Sequence, residues 1–99
     1  MVINQQIKFK DNLKQIIEYI ARDNLNAAKK FRKDLFINIK DIPDMPKKYR
    51  KSEYYENENI RDMIFCGYTI IYEIYQNTIE LQTIFNQNLP TLEKEQNSL

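Results

Sequence analysis

Residues 60–86 restrict the folds open to this chain more than any other stretch. Three runs rich in β-branched and aromatic residues, Ile60–Phe65, Tyr68–Tyr75 and Thr78–Asn86, are separated by two residues each, Cys66-Gly67 and Gln76-Asn77. Such residues favour a pleated, half-buried surface, and two-residue connections between them predict antiparallel hairpins. The single glycine of the chain, Gly67, falls in the first connection, where a positive φ is needed. Turns this short also set the register, so faces can be assigned. With Phe65 opposite Tyr68 and Tyr75 opposite Thr78, one face takes Met63, Phe65, Tyr68, Ile70, Tyr72, Ile74, Ile79, Leu81 and Phe85, and reads as a core face. The other takes Asp62, Ile64, Thr69, Ile71, Glu73, Tyr75, Glu80, Gln82 and Ile84, and is mixed and partly acidic.

Upstream the period changes. Residues 2–8 read as a weak N-terminal strand. Phe9, Leu13, Ile16, Ile17 and Ile20 then share one helical face, with Lys10, Lys14, Glu18 and Arg22 elsewhere. This helix ends near Asp23, and Asn24 is placed to cap a second, in which Ala28, Phe31, Leu35, Ile39 and Ile42 recur at spacings of three and four. Pro43 stops it. So short a link implies an antiparallel helical hairpin. Residues 43–59 form a connector that opens with two prolines and a basic run, with residues 52–55 as a short edge strand. From Asn88 onward the chain is polar and contains Pro90; a short helix from Thr91 and a disordered tail are both compatible with it. The expectation is a single α+β domain over residues 1–99, a two-helix antiparallel hairpin packed on one face of a small antiparallel β-sheet, in the order β-α-α-β-β-β.

Composition removes much familiar chemistry. There is no histidine, hence neither the commonest general base nor the commonest zinc ligand. One cysteine excludes a CxxC metal site and an internal disulfide, and one glycine excludes a P-loop or dinucleotide fingerprint. Ser52 and Ser98 have no histidine to activate them. No metal and no cofactor is expected, and any catalysis would run on Arg, Lys, Tyr, Asp or Glu. No apolar run approaches a membrane span, the first residues lack the layout of a signal peptide, and a lone Cys66 suits a reducing cytoplasm.

Charge is unevenly spread. Residues 1–51 hold 13 Lys or Arg against 6 Asp or Glu, whereas residues 52–99 hold 2 against 8. Two solvated faces of opposite sign would account for this. So would a basic helical surface around Lys29, Lys30 and Lys33 that awaits an acidic partner. Two constellations remain. Lys47, Lys48, Tyr49, Arg50 and Lys51, followed by Tyr54 and Tyr55, interleave cations with aromatics as phosphate contact and base stacking require; a solvated loop with its tyrosines on the sheet edge reads equally well. Arg61, opposite Tyr72 on the core face and on the same face as Tyr68, is either a phosphate ligand or a structural arginine stacked on a tyrosine and paired with a carboxylate.

The order helix, helix, Met45-Pro46-x-x-Tyr49, Ile60-Arg61-x-Met63, Gly67-Tyr68-Thr69-Ile70-Ile71-Tyr72-Glu73-Ile74 and a last strand containing Thr83-Ile84-Phe85 resembles the RelE/ParE superfamily of type II toxins, the small toxins of toxin–antitoxin operons often called plasmid stabilisation proteins. The resemblance runs from residue 2 to about residue 87. It implies a cytoplasmic toxin that inhibits growth, a cognate antitoxin that is acidic and partly disordered when free, and assembly as a homodimer or as a heterotetramer with that antitoxin. RelE-like members cleave mRNA on the ribosome without metal, through Arg, Lys and sometimes Tyr or His on the exposed sheet face; ParE-like members poison DNA gyrase. RelE-like nucleases usually have Arg after the tyrosine of the Gly-Tyr strand, and this chain has Thr69. Members of both kinds usually carry a basic or His residue at the end of the last strand or beyond it, and this chain has Asn86-Gln87. Carboxylates at Asp62, Glu73 and Glu80 would repel phosphate. The ParE-like reading is therefore closer, with Lys29, Lys30, Lys33, Tyr49, Lys51 and Arg61 as candidate contacts to target or antitoxin. The alternatives are a ribonuclease using Lys47, Lys48, Arg50 and Arg61 with Tyr54 or Tyr68, and a member that binds antitoxin but has lost toxicity.

Overall fold

A computed structural model describes residues 1–86. The elements are β1 (Val2–Gln5), α1 (Ile7–Asp23), α2 (Leu25–Lys40), a 3-10 turn (Ile42–Asp44), β2 (Arg50–Lys51), β3 (Ile60–Phe65), β4 (Tyr68–Tyr75) and β5 (Thr78–Asn86). They form one five-stranded sheet in the order β1-β5-β4-β3-β2. The expected α+β architecture is present, with one refinement. The sheet is mixed, because β1 runs parallel to β5 while all other neighbours are antiparallel. The edge strand of the connector is Arg50–Lys51 rather than residues 52–55: Ser52 closes it with a bond to the Ile60 carbonyl, and the chain then turns, with the Tyr54 amide on the Ser52 hydroxyl. The polar tail expected after Asn88 lies outside the described residues.

Both helices follow their apolar spacing. α1 begins at Ile7, two residues earlier than the buried stripe suggests, because Ile7 is exposed and Phe9 is the first residue to reach the core. Asn24 ends α1 and caps α2, its side chain accepting from the Ala27 amide at 3.0 Å. Phe9 and Leu13 of α1, Leu35 and Ile39 of α2 and Ile42 of the 3-10 turn pack on Met63, Ile70, Tyr72, Ile79, Leu81 and Ile84. Each aliphatic or phenylalanine side chain so buried contributes roughly 2 kcal/mol, enough in sum to hold two helices on the sheet.

The two hairpins have the predicted register, Phe65 opposite Tyr68 and Tyr75 opposite Thr78. Both turns place two residues at positive φ, Cys66 with Gly67 and Gln76 with Asn77, the geometry that matches strand twist. The face assignment holds through Leu81 and then inverts. A bulge sets Ile71 against Thr83 and Tyr72 against Leu81, leaving Gln82 without a partner. One extra residue reverses every later side chain. Ile84 therefore joins the helix-facing core, and Phe85 lies with Thr69 on the opposite face, the reverse of the sequence assignment. β1 covers β5 only from Thr78 to Leu81. Beyond it, Asn12 of α1 donates to the Thr83 hydroxyl at 2.9 Å and to the Ile84 carbonyl at 3.3 Å.

Candidate functional site

The connector has almost no regular structure, yet it is firmly placed. Residues 45–48 form a turn closed by the Lys48 amide on the Met45 carbonyl at 3.0 Å. The Tyr72 hydroxyl donates to the Pro46 carbonyl at 2.6 Å, and the Tyr49 ring meets the Tyr72 ring edge-on at 6.4 Å. The Arg61 guanidinium donates to the carbonyls of Glu58 (2.8 Å), Tyr49 (3.1 Å) and Lys47 (3.4 Å). Arg61 and Tyr72 face each other across β3 and β4, both buried, and burial pushes the Tyr72 phenol well above its ordinary range. Arg61 is thus engaged with backbone carbonyls, with no carboxylate among its hydrogen-bond partners in the described residues. The fork of a guanidinium suits this, because one side chain satisfies three acceptors on an irregular segment.

The remaining candidates are dispersed. Arg50 lies on the edge strand, 3.1 Å from Glu53 and 3.6 Å from Asp62, whose carboxylate also accepts from the Glu53 amide at 3.0 Å. Tyr54 packs edge-on against Phe85 at 5.5 Å, on the sheet face away from the helices, and burial raises its phenol pKa. Tyr68 is on the opposite face, against Phe31 at 5.3 Å, and burial raises its pKa as well. It stands four residues from Tyr72 along β4, on the order of 13 Å at strand rise. The structure therefore does not bring Lys47, Lys48, Arg50, Arg61, Tyr54 and Tyr68 to one point. Thr69 is fully buried. On the outer face Glu73 and Glu80 stand directly opposite each other. Gln82 donates to Glu73 at 3.2 Å, and hydrogen bonds from Thr78, Asn4 and Gln6 hold the Glu80 carboxyl below its usual range. That face is anionic and would repel a phosphate backbone.

Two grooves lie on α2 and its contact with α1. One, of 520 Å³, is lined by Lys29, Arg32, Lys33, Phe36, Ile37 and Lys40. The other, of 380 Å³, runs between the helices past Leu13, Lys14, Ile17, Arg32 and Phe36. They share Arg32 and Phe36, with the guanidinium 5.0 Å over the ring, and adjoin as a furrow whose rim is cationic along α2 and carries Glu18 as well as lysines on α1. Lys29 and Lys33 are on it. Lys30 does not line it and pairs with Asp34 at 2.6 Å. Lys51 lies 3.9 Å from Glu58 on the edge strand. Arg32, Phe36, Ile37 and Lys40 were not among the candidate contacts. Their signal was the run Leu35-Phe36-Ile37-x-Ile39, which holds more apolar residues than one buried stripe can absorb. A third groove, of 560 Å³, is lined by Met1, Met45, Pro46, Lys47, Lys48 and Ile74. Among the described residues, no group of three or more His, Cys, Asp or Glu side chains could hold a metal ion, and no helix is long and apolar enough to cross a membrane.

The chain is similar to known proteins in two ways. Among solved structures it resembles a chain of the chromosomal ParDE toxin–antitoxin system from P. aeruginosa, with a TM-score of 0.70 and 15% identity over 87% of this chain and 95% of that one. At this identity the likeness concerns the fold. No curated protein sequence matches. The family model of the ParE toxin of the type II toxin–antitoxin system, parDE, matches residues 6–88. With most of its length matched, the chain belongs to the ParE toxin family of type II toxin–antitoxin systems.

Proposed function

We propose that this ParE-family toxin arrests growth by binding a protein, DNA gyrase, rather than by cutting RNA, and that a cognate antitoxin neutralises it. The observation that carries the reading is the absence of a phosphate clamp among the described residues. Arg61 is buried on three carbonyls, Thr69 is buried where RelE-like nucleases usually have arginine, and the outer sheet face presents Glu73 opposite Glu80. Transition-state stabilisation of phosphoryl chemistry needs converging positive charge, whereas Arg50 pairs with Glu53 and Asp62 and Arg61 engages carbonyls. The antitoxin segment is expected to be an acidic amphipathic stretch that lays apolar side chains on Phe36 and Ile37 and carboxylates on Lys29, Lys33 and Lys40, ordering as it binds.

The test is expression of the chain alone and with its antitoxin. Growth arrest with filamentation and a DNA-damage response, together with inhibition of supercoiling by purified gyrase, is the expected result. A block of translation with cleaved mRNA would instead establish the ribonuclease reading, and unimpaired growth would mark a member without toxicity.

A further inference from the structure

The third groove differs from the helical furrow in how it is made. Its walls are Met1, Met45, Pro46 and Ile74, and its rim is Lys47 and Lys48. Met45 is 63% exposed and Met1 is half exposed. Among the described residues, neither Lys47 nor Lys48 has a carboxylate partner, and no acidic residue lines the groove. The backbone under these side chains is fixed by Tyr72 on Pro46 and by Arg61 on Lys47 and Tyr49. A solvated turn would not need two buried polar side chains to hold it. A docking turn benefits from them, because a backbone already in place loses little conformational entropy on binding. Methionines at its mouth can adapt to the shape of an incoming apolar side chain.

We infer that the groove formed by Met45, Pro46, Lys47, Lys48, Met1 and Ile74 is a second docking site, separate from the α2 furrow, and that it receives an acidic segment of the toxin's target protein carrying a bulky apolar side chain. Charge complementarity selects the acidic partner: two ammonium groups with no carboxylate partner among the described residues, that of Lys48 lying 5.1 Å from the centre of the Tyr49 ring, flank an apolar slot in the strongly basic half of the chain. Nucleic acid fits poorly, since no aromatic ring lines the groove for base stacking. The separation of the two sites has a functional consequence. Antitoxin and target make their first contacts at different places, so an antitoxin bound in the α2 furrow inhibits by extending over the groove or by blocking approach to it. The assignment of the groove to the target rests on the function proposed above.

Three variants test it: Lys47→Glu with Lys48→Glu, Met45→Asp, and Lys29→Glu with Lys33→Glu as the control on α2. Each is expressed with and without antitoxin, and thermal melting and antitoxin co-purification are measured alongside growth. Met45→Asp alters an exposed side chain and leaves the turn's hydrogen bonds in place, so it reports even where the double reversal fails to fold. The expected result is that both groove variants need roughly tenfold or more expression to arrest growth, as loss of a central anchor implies. They should keep antitoxin binding and wild-type melting, while the α2 control loses antitoxin binding and stays toxic. Undiminished arrest by Met45→Asp overturns the inference. Arrest lost together with antitoxin binding assigns the groove to the antitoxin and also overturns it. Arrest lost in the lysine reversal but intact in Met45→Asp points to phosphate contacts and overturns the protein segment. A harmless wild type is a distinct outcome: the proposed function fails, and this assignment with it.

Discussion

The connector and α2 both present lysines beside an apolar groove, but their order comes from opposite sources. α2 is specified locally. Its backbone bonds close within the helix, Asn24 caps it from the preceding residue, and its core stripe recurs at helical spacing. The connector has only two residues of strand and one short 3-10 turn. Its order is supplied from afar, by Tyr72 acting 26 residues away on Pro46 and Arg61 acting 14 and 12 residues away on Lys47 and Tyr49. The difference teaches how a small chain with one glycine builds a rigid irregular surface. It buries donors beneath the segment and aims them at its carbonyls.

If that contrast is right, Arg61→Ala has the largest effect. It leaves carbonyls of Lys47, Tyr49 and Glu58 without their donor, and the expected loss is about 3 kcal/mol, read as a fall in the urea midpoint with unchanged slope. A loss no greater than that of a helix-cap variant would break the comparison. Tyr72→Phe comes next, at about 1–2 kcal/mol for the orphaned Pro46 carbonyl. It also carries a pH signature. The folded state holds the Tyr72 phenol above its ordinary value of 10.0, so the associated stability is complete below pH 10.0. Above that, the unfolded chain releases the proton first and stability declines. Tyr72→Phe should flatten this alkaline decline in a melting series. Asn24→Ala, the local counterpart on α2, should cost about 1 kcal/mol and weaken antitoxin binding more than it disturbs the connector, as heteronuclear NMR shifts at Met45 and Lys48 would show. Smallest are Lys33→Ala and Lys48→Ala, each within about 0.5 kcal/mol of wild type by thermal melting. A larger loss from either would mean that the lysines help to build their surfaces as well as decorate them.

Legibility in the sequence follows the same division. The helical hairpin, its Asn24 cap and the two-residue strand turns were readable because each is fixed by neighbours within four residues. The register of β3, β4 and β5 followed from the turns and held up to Leu81. It failed at Gln82, since nothing local distinguishes Gln82-Thr83 from two ordinary strand residues, and the bulge there shifts the pairing by one. The pairing of β1 with β5 was equally out of reach, because a four-residue strand carries no label for a partner 76 residues away. At the site, Arg61 opposite Tyr72 was legible from register, but its partners were not: three backbone carbonyls leave no trace in side-chain identity. Phe36 and Ile37 were passed over, because their place beside Arg32 in a groove depends on how α1 packs against α2.

The parallel pairing of β1 with β5 also has a consequence in time. The first strand of the chain finds its partner only in the last, and Phe9 and Leu13 share a core with Ile79, Leu81 and Ile84. Contacts of such sequence separation form late and slowly. During synthesis the helical hairpin can emerge and fold, but the sheet edge and the floor beneath α1 do not exist until residues 78–86 have left the ribosome. A nascent chain that has not yet delivered β5 therefore lacks the strand on which both β1 and the core face of α1 close.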